Sequence, residues 1–276
     1  MALEFVKLVK GKDVVSQVGS LGFFKLGVES GGGDEPSSTF STLSWSEIAN
    51  ISKQISSNKL TSAQVYETYG WKLGDKRNIV LSTGENIQVQ IIGFNHDTYL
   101  QSNLSYNAGL TVQMVNCLAT RSQMNAATTA SWYGSSLLYN LANDFKKTLP
   151  QDLQNVLKSA KKGTSYGGGA ATGSTNLYLG IFPLSEIELL GTKSYAYMGS
   201  NEGTQYEYWK EHNTNEDRIK YYDADGDGVP ETATNYWLRS AEKFYRTQAF
   251  VAISTSGAGR TASATQTYGV NFAFCI

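Results

Sequence analysis

The chain has 276 residues, a formal net charge of −1 and 17 % charged residues, where about a quarter is usual in globular proteins. The pI near 6.2 and the lack of a basic stripe argue against nucleic acid as a partner, because phosphate backbones are held by clustered Lys and Arg. No run reaches the roughly 18 apolar residues of a membrane span, so insertion into a membrane is not expected.

Gly, Tyr, Ser, Thr and Asn fill the place of the missing charges, and only four prolines occur. That composition favours many short strands joined by Gly/Asn turns. Met1-Ala2-Leu3-Glu4-Phe5 and the residues after it lack the basic and apolar regions of a signal peptide. The expected place of synthesis is a cytoplasm, with release by a route other than secretion.

Residues 1–29 carry more apolar groups (Phe5, Val6, Leu8, Val9, Val14, Val15, Val18, Leu21, Phe23) than so short a piece can bury alone. They are expected to form an attachment segment that packs on another protein or on a symmetry mate. Residues 30–43 include Gly31-Gly32-Gly33-Asp34-Glu35-Pro36 and read as a flexible linker. The remainder, 44–276, is expected to be one head domain.

Ser44-Trp45-Ser46-Glu47 has the form of a capping box, followed by Ile48, Ile51 and Ile55 at helical spacing. A turn at Gly74-Asp75-Lys76 leads to a strand at 78–81. The turn 83–86 then leads into the alternating run Ile87-Gln88-Val89-Gln90-Ile91. Residues 110–118 read as another strand containing Cys117. Cys275 also lies in an apolar run, so two buried thiols are expected.

Ser135 or Ser136 caps a helix carrying Leu137, Leu138, Leu141, Phe145 and Leu149, and Pro150 starts a second with Leu153, Val156 and Leu157. Lys158, Lys161 and Lys162 are expected at its solvated end. Residues 163–174 read as a flexible Gly-rich loop without the Lys of a phosphate-binding loop. A strand at 177–184 and a short helix beginning at Ser185–Glu188 follow. Residues 193–231 are long, polar and aromatic-rich, and strands resume at 236–239, 249–253 and 270–276.

Tyr236-Trp237-Leu238-Arg239-Ser240, Phe250-Val251-Ala252-Ile253 and Gly269-Val270-Asn271-Phe272-Ala273-Phe274-Cys275-Ile276 resemble an uncharacterised domain family common in gut Gram-positive bacteria and in their phages and prophages. Trp45-Ser46-Glu47-Ile48, Ile92-Gly93-Phe94-Asn95-His96-Asp97, Trp132-Tyr133-Gly134-Ser135-Ser136 and Leu184-Ser185-Glu186-Ile187-Glu188 extend the resemblance over 44–276.

The resemblance implies an α+β, C-type-lectin-like domain of short twisted antiparallel strands, two main helices and long loops. It implies kinship with the formylglycine-generating enzyme fold and with variable receptor-binding proteins of phages. The sugar-binding Glu-Pro-Asn motif and the disulfides of ordinary C-type lectins are absent from the sequence, as is a cysteine pair suited to formylglycine chemistry. The expected function is therefore that of a virion protein at a tail tip, in a fibre or on the head. It would bind a host-surface glycan or protein without catalysis and form a homo-oligomer, with residues 1–29 holding other virion proteins. A purely structural decoration or adaptor protein is the alternative, and an enzyme of the formylglycine-generating type the third reading.

Tyr195, Tyr197, Tyr206, Tyr208 and Trp209 in the long segment, with Arg260 in the turn 254–266, form the expected binding surface. Tyr and Trp supply contact area at low entropic cost. Asp223, Asp225 and Asp227, with Glu231 beyond Gly228, form a candidate calcium loop, because alternating carboxylates set hard oxygen ligands on one side of a tight turn. A solvated acidic turn is the competing reading. Asn95-His96-Asp97 reads as a polar turn bonded to nearby backbone, and Arg239, on a strand that should be buried, as half of an ion pair.

Overall fold

The alternation in residues 86–94 sets up the central sheet of the computed structural model, which describes residues 39–127, 132–165, 174–197, 202–244 and 248–276. The expected attachment segment 1–29 and most of the linker lie outside the described residues. Strand β2 (Asn86–Phe94) pairs antiparallel with β1 (Lys76–Val80) and β5 (Leu110–Met114), and β15 (Ala273–Cys275) joins the far side of β5. Side chains alternate across a strand. Ile79, Ile87, Val89, Ile91, Val112 and Phe274 therefore form one buried face. Asn78 opposite Gln88, and Gln90 opposite Gln113, share the other.

Two capped helices precede this sheet. α1 (Trp45–Ser57) begins at the Ser44–Glu47 capping box expected from sequence, and α2 (Ser62–Tyr69) at a second one, Thr61–Gln64, with Gly70 ending it in a left-handed turn. Phe40, within the expected linker, is fully buried and meets Trp71 edge-on at 5.6 Å. Head packing therefore starts upstream of residue 44, and Ser37–Ile276 form one compact unit.

The second sheet has the order β4-β3-β7-β8, built from β3 (Thr98–Gln101), β4 (Leu104–Asn107), β7 (Ala160–Ser165) and β8 (Ser174–Leu179). β11 (Tyr236–Ala241), β12 (Ala249–Ile253) and β13 (Gly259–Ser263) make a third. Two strand pairs complete the set: β6 (Ser122–Gln123) with β14 (Thr267–Tyr268), and β9 (Lys220–Tyr222) with β10 (Thr232–Thr234). The remaining helices are α3 (Ser136–Asn143), α4 (Gln151–Val156), α5 (Glu186–Leu190) and α6 (Glu207–Glu211). The fold is mixed α/β, with several small antiparallel sheets and few helices.

Several expectations change. The helix expected to run through Leu149 breaks after Asn143 into a 3-10 turn, Phe145–Thr148. The three lysines do not crowd a helix end: α4 stops at Val156 and residues 160–165 are a strand, which turns Lys162 inward beside Ala160 and Thr164. Residues 163–165 of the expected flexible loop pair with 174–176, and 166–173 lie outside the described residues. The segment 193–231 contains α6, β9 and a 3-10 turn at Glu216–Arg218.

Candidate functional site

Two polar centres stand out, one closed and one open. The closed centre lies where the turn after β2 meets β7, α5 and β11. Lys162 donates to Asp97, to Glu188 at 3.1 Å and to the Tyr206 hydroxyl at 2.7 Å. Arg239 bonds both oxygens of Glu188, and adds the carbonyls of Pro183 at 3.1 Å and Glu202 at 2.5 Å. Asp97 also accepts from Tyr206 and Thr111, at 2.7 and 2.8 Å, and from the Cys275 thiol at 3.2 Å.

All of these side chains are buried. Burial alone would raise the Asp97 pKa, but Lys162 and His96 beside it, with the bonds from Lys162 and Tyr206, hold it well below the usual carboxylate range. Glu188 follows the same logic: burial raises it, and Arg239 and Lys162 bring it below its ordinary value. Lys162 and Arg239 thus offset Asp97 and Glu188, and the buried Glu202 carboxylate beside Arg239 accepts from Ser240. A dry, compensated network of this kind positions backbone. The Cys275 thiol in its wall is pushed up by burial and by Asp97, which leaves it a poor nucleophile. A shallow cavity of about 350 Å3 above the network includes His96, Glu202 and Thr204 in its lining.

The open centre is a cavity of about 520 Å3 between the β1–β2 turn and the β9–β10 loop. Asn78, Asn86, Gln88 and Asn116 contribute carboxamides, Glu85 and Asp223 carboxylates, and Pro230 apolar surface, with Ile87 and Met114 in the lining although their side chains belong to the core. Among the described residues its lining contains no Lys, Arg, His or aromatic side chain. Amides continue over the same face of the sheet. At its buried end Gln113 donates to Asn271 at 2.7 Å and accepts from the Trp209 indole at 2.9 Å, so those groups are committed. At its exposed end Gln88 donates to Asn78 at 3.0 Å. The Asn78 amide donors and the Gln88 amide acceptor have no partner among the described residues.

Lys220 fixes the loop that roofs this cavity. Its ammonium donates to the carbonyls of Met114 and Val115 at 2.9 and 2.7 Å, and the Cys117 amide bonds the Tyr221 carbonyl at 2.8 Å. β9 is thereby locked to the end of β5. Burial lowers the Lys220 pKa to about 8 and raises that of the neighbouring Cys117 thiol to about 12. Cys117 and Cys275 are both buried free thiols, as expected.

The acidic loop follows β9 directly. Asp223, Asp225 and Asp227 each bring a carboxylate oxygen within 4.8 Å of the others, while Glu231 is exposed immediately before β10. Gly226 and Gly228 take φ of +82° and +90°, a region that glycine enters without strain. Their amides donate to the two oxygens of Asp223, at 2.7 and 2.8 Å.

The structure does not gather the expected binding surface. Tyr206 and Trp209 are core residues, 0 % and 1 % exposed. Each has a polar tip engaged inside, by Asp97 and Gln113 respectively, which is what lets a large aromatic group bury fully. Tyr195, Tyr197 and Tyr208 are half-buried, and Arg260 is exposed on β13. None of the six lines either cavity. Arg239 does find the carboxylate partner expected of it, Glu188. Asp97 bonds side chains where bonds to nearby backbone were expected.

The groups that sequence reasoning missed had visible signals. Lys162 sits in the period-two run Ala160–Lys162–Thr164, hidden by the lysines around it. The outward positions of the alternating run 87–91 are both glutamines, where a solvated strand face usually carries charge.

Fold and site together define a domain of small antiparallel sheets that closes a paired charge network inside and opens a polar cavity, without a basic side chain among its described lining residues, outside. Residues 98–276 match the family described as a domain of unknown function, DUF6273, and the chain belongs to that family. No curated protein and no solved structure matches the chain significantly.

Proposed function

We propose that the chain is a non-catalytic, C-type-lectin-like binding head of a bacteriophage virion, which engages a host-surface glycan or protein. The observation that carries this reading is the open cavity lined by carboxamides and carboxylates, set apart from a charge network in which Asp97, Lys162, Glu188 and Arg239 bond one another. Buried thiols with raised pKa values speak against cysteine chemistry. The pairing of β15 with β5 and the long, sparsely structured stretch before β11 agree with a C-type-lectin-like arrangement.

Attachment to other virion proteins belongs to residues 1–29 in this reading, and the heads act as a homo-oligomer. Calcium in the loop of Asp223, Asp225 and Asp227, with Glu231 near it, is part of the same proposal. Three carboxylates this close repel one another unless a cation lies between them.

Mass spectrometry of purified particles, combined with adhesion of the labelled full chain to host cells, tests the proposal. Presence in the particle with saturable adhesion is expected. Presence without adhesion assigns the chain to the structural decorations instead, and absence from particles contradicts the virion assignment.

A further inference from the structure

The cavity between the β1–β2 turn and the acidic loop also specifies a ligand class, an inference that rests on the binding role proposed above. We infer that it takes a neutral saccharide, held by hydrogen bonds from Asn78, Asn86, Gln88 and Asn116. Each carboxamide offers a donor and an acceptor side by side, and a sugar hydroxyl is itself both. Vicinal hydroxyls therefore match a row of amides better than a single charged group does.

Other ligand classes fit the lining less well. With no Lys, Arg or His in it, an anion such as a phosphate, sulfate or uronate finds no cationic side chain to balance its charge and meets Glu85 and Asp223. With no aromatic ring in it, a base or planar aromatic ligand has nothing to stack on. An organic cation would want free carboxylates. Asp223, however, already accepts from the Gly226 and Gly228 amides, and Glu85 accepts from the Ala119 amide at 2.8 Å. Their remaining lone pairs suit hydroxyl donors, which carboxylates bind strongly.

Pro230 gives the C–H face of a sugar ring a small apolar surface, while the Ile87 and Met114 side chains point into the core. At about 520 Å3 the cavity lies within the usual size of small-ligand clefts, about 300–1,000 Å3. The site is also held in place. β2 is an inner strand of its sheet, and Lys220 and the Cys117 amide fasten the opposite wall.

The test uses the full chain on an array of immobilised neutral oligosaccharides of hexoses and N-acetylhexosamines. Anionic polysaccharides and polyamines are printed beside them. The wild type is compared with the double variant Asn78→Ala/Gln88→Ala, whose side chains are exposed, with the melting temperature of both recorded. Binding to one or more neutral glycans is expected, weakened at least about tenfold in the double variant, the equivalent of losing about 1.4 kcal/mol, at unchanged melting temperature.

Binding only to anionic or cationic probes overturns the inference, and so does equal binding by both proteins. Adhesion to host cells, measured on the same two proteins, separates the levels. If both adhere equally, the cavity is not the site while the binding role stands. If the wild type neither adheres nor binds the array, both fail.

Discussion

The buried network around Glu188 and the open row of amides around Gln88 treat water in opposite ways. In the first, four full charges are stripped of solvent and matched one to another, so that Asp97 alone accepts from Lys162, Tyr206, Thr111 and Cys275. In the second, uncharged groups stay wet, and the Asn78–Gln88 pair spends one donor and one lone pair on its internal bond. Losing solvation is costly for an ion and modest for an amide. Charge is therefore suited to fixing the fold once, and amides to exchanging water for a ligand repeatedly. The difference teaches that the most perturbed ionisable groups in this chain mark its scaffold, although such groups often mark active sites.

The largest expected effect breaks the closed side. Arg239→Ala leaves Glu188 with Lys162 as its one cationic partner beside the Ser185 amide, and strips the Pro183 and Glu202 carbonyls of a donor. Removing one partner of a buried pair costs roughly 3–5 kcal/mol. Urea denaturation should show that loss, and a loss below about 1 kcal/mol, the ceiling for exposed pairs, would mean that the network is wet.

Acid sharpens the same side. Asp97 and Glu188 both have folded pKa values below their ordinary ones. The stability they contribute is fully present above about pH 4, the unfolded value, and disappears as pH falls further. Thermal melting between pH 6 and pH 3 should show a decline that begins near pH 4. A flat profile would contradict the depressed values.

A subtler effect concerns the hinge between the two regions. Lys220 has a folded pKa of about 8, lowered by burial with Lys76 adding to the shift and Cys117 opposing it; the unfolded value is about 10.4. The charged form is thus disfavoured in the fold, which carries a penalty below pH 8 that fades as pH rises towards 10.4. The wild type should gain stability relative to Lys220→Met between pH 7.5 and 9.5. A constant difference between the two proteins would place the ammonium in solvent.

The smallest effect belongs to the acidic loop. Calcium at ten times its dissociation constant adds about 1.4 kcal/mol to the stability of a one-site protein. A calcium titration of the melting temperature should rise and saturate, and Asp225→Asn/Asp227→Asn should abolish the rise. No shift at millimolar calcium would leave a turn closed by its own amides.

Local features of the fold were legible in the sequence and long-range ones were not. Ser44–Glu47 and Ser185–Glu188 announce their helices because a capping box is a contact within four residues. The inward direction of Lys162 depends on β8 pairing beside it, and the burial of Tyr206 on Asp97, which is 109 residues away. An aromatic-rich stretch therefore looked like an exposed face when two of its largest members were core. Glu188 was visible at the start of a helix, and its bonds to Lys162 and Arg239 were not. The amides at 88 and 90 were readable as outward positions, while the cavity needed the acidic loop to fold over them.

Hydrogen exchange of the full chain, with and without the neutral oligosaccharide that binds it best, tests the separation of scaffold from binding face most directly. Slowed exchange is expected within 84–90, 114–119 and 223–231, with 186–190 and 236–241 unchanged. Slowing confined to 203–213 and 254–266 would place the ligand on the aromatic segment and contradict the account.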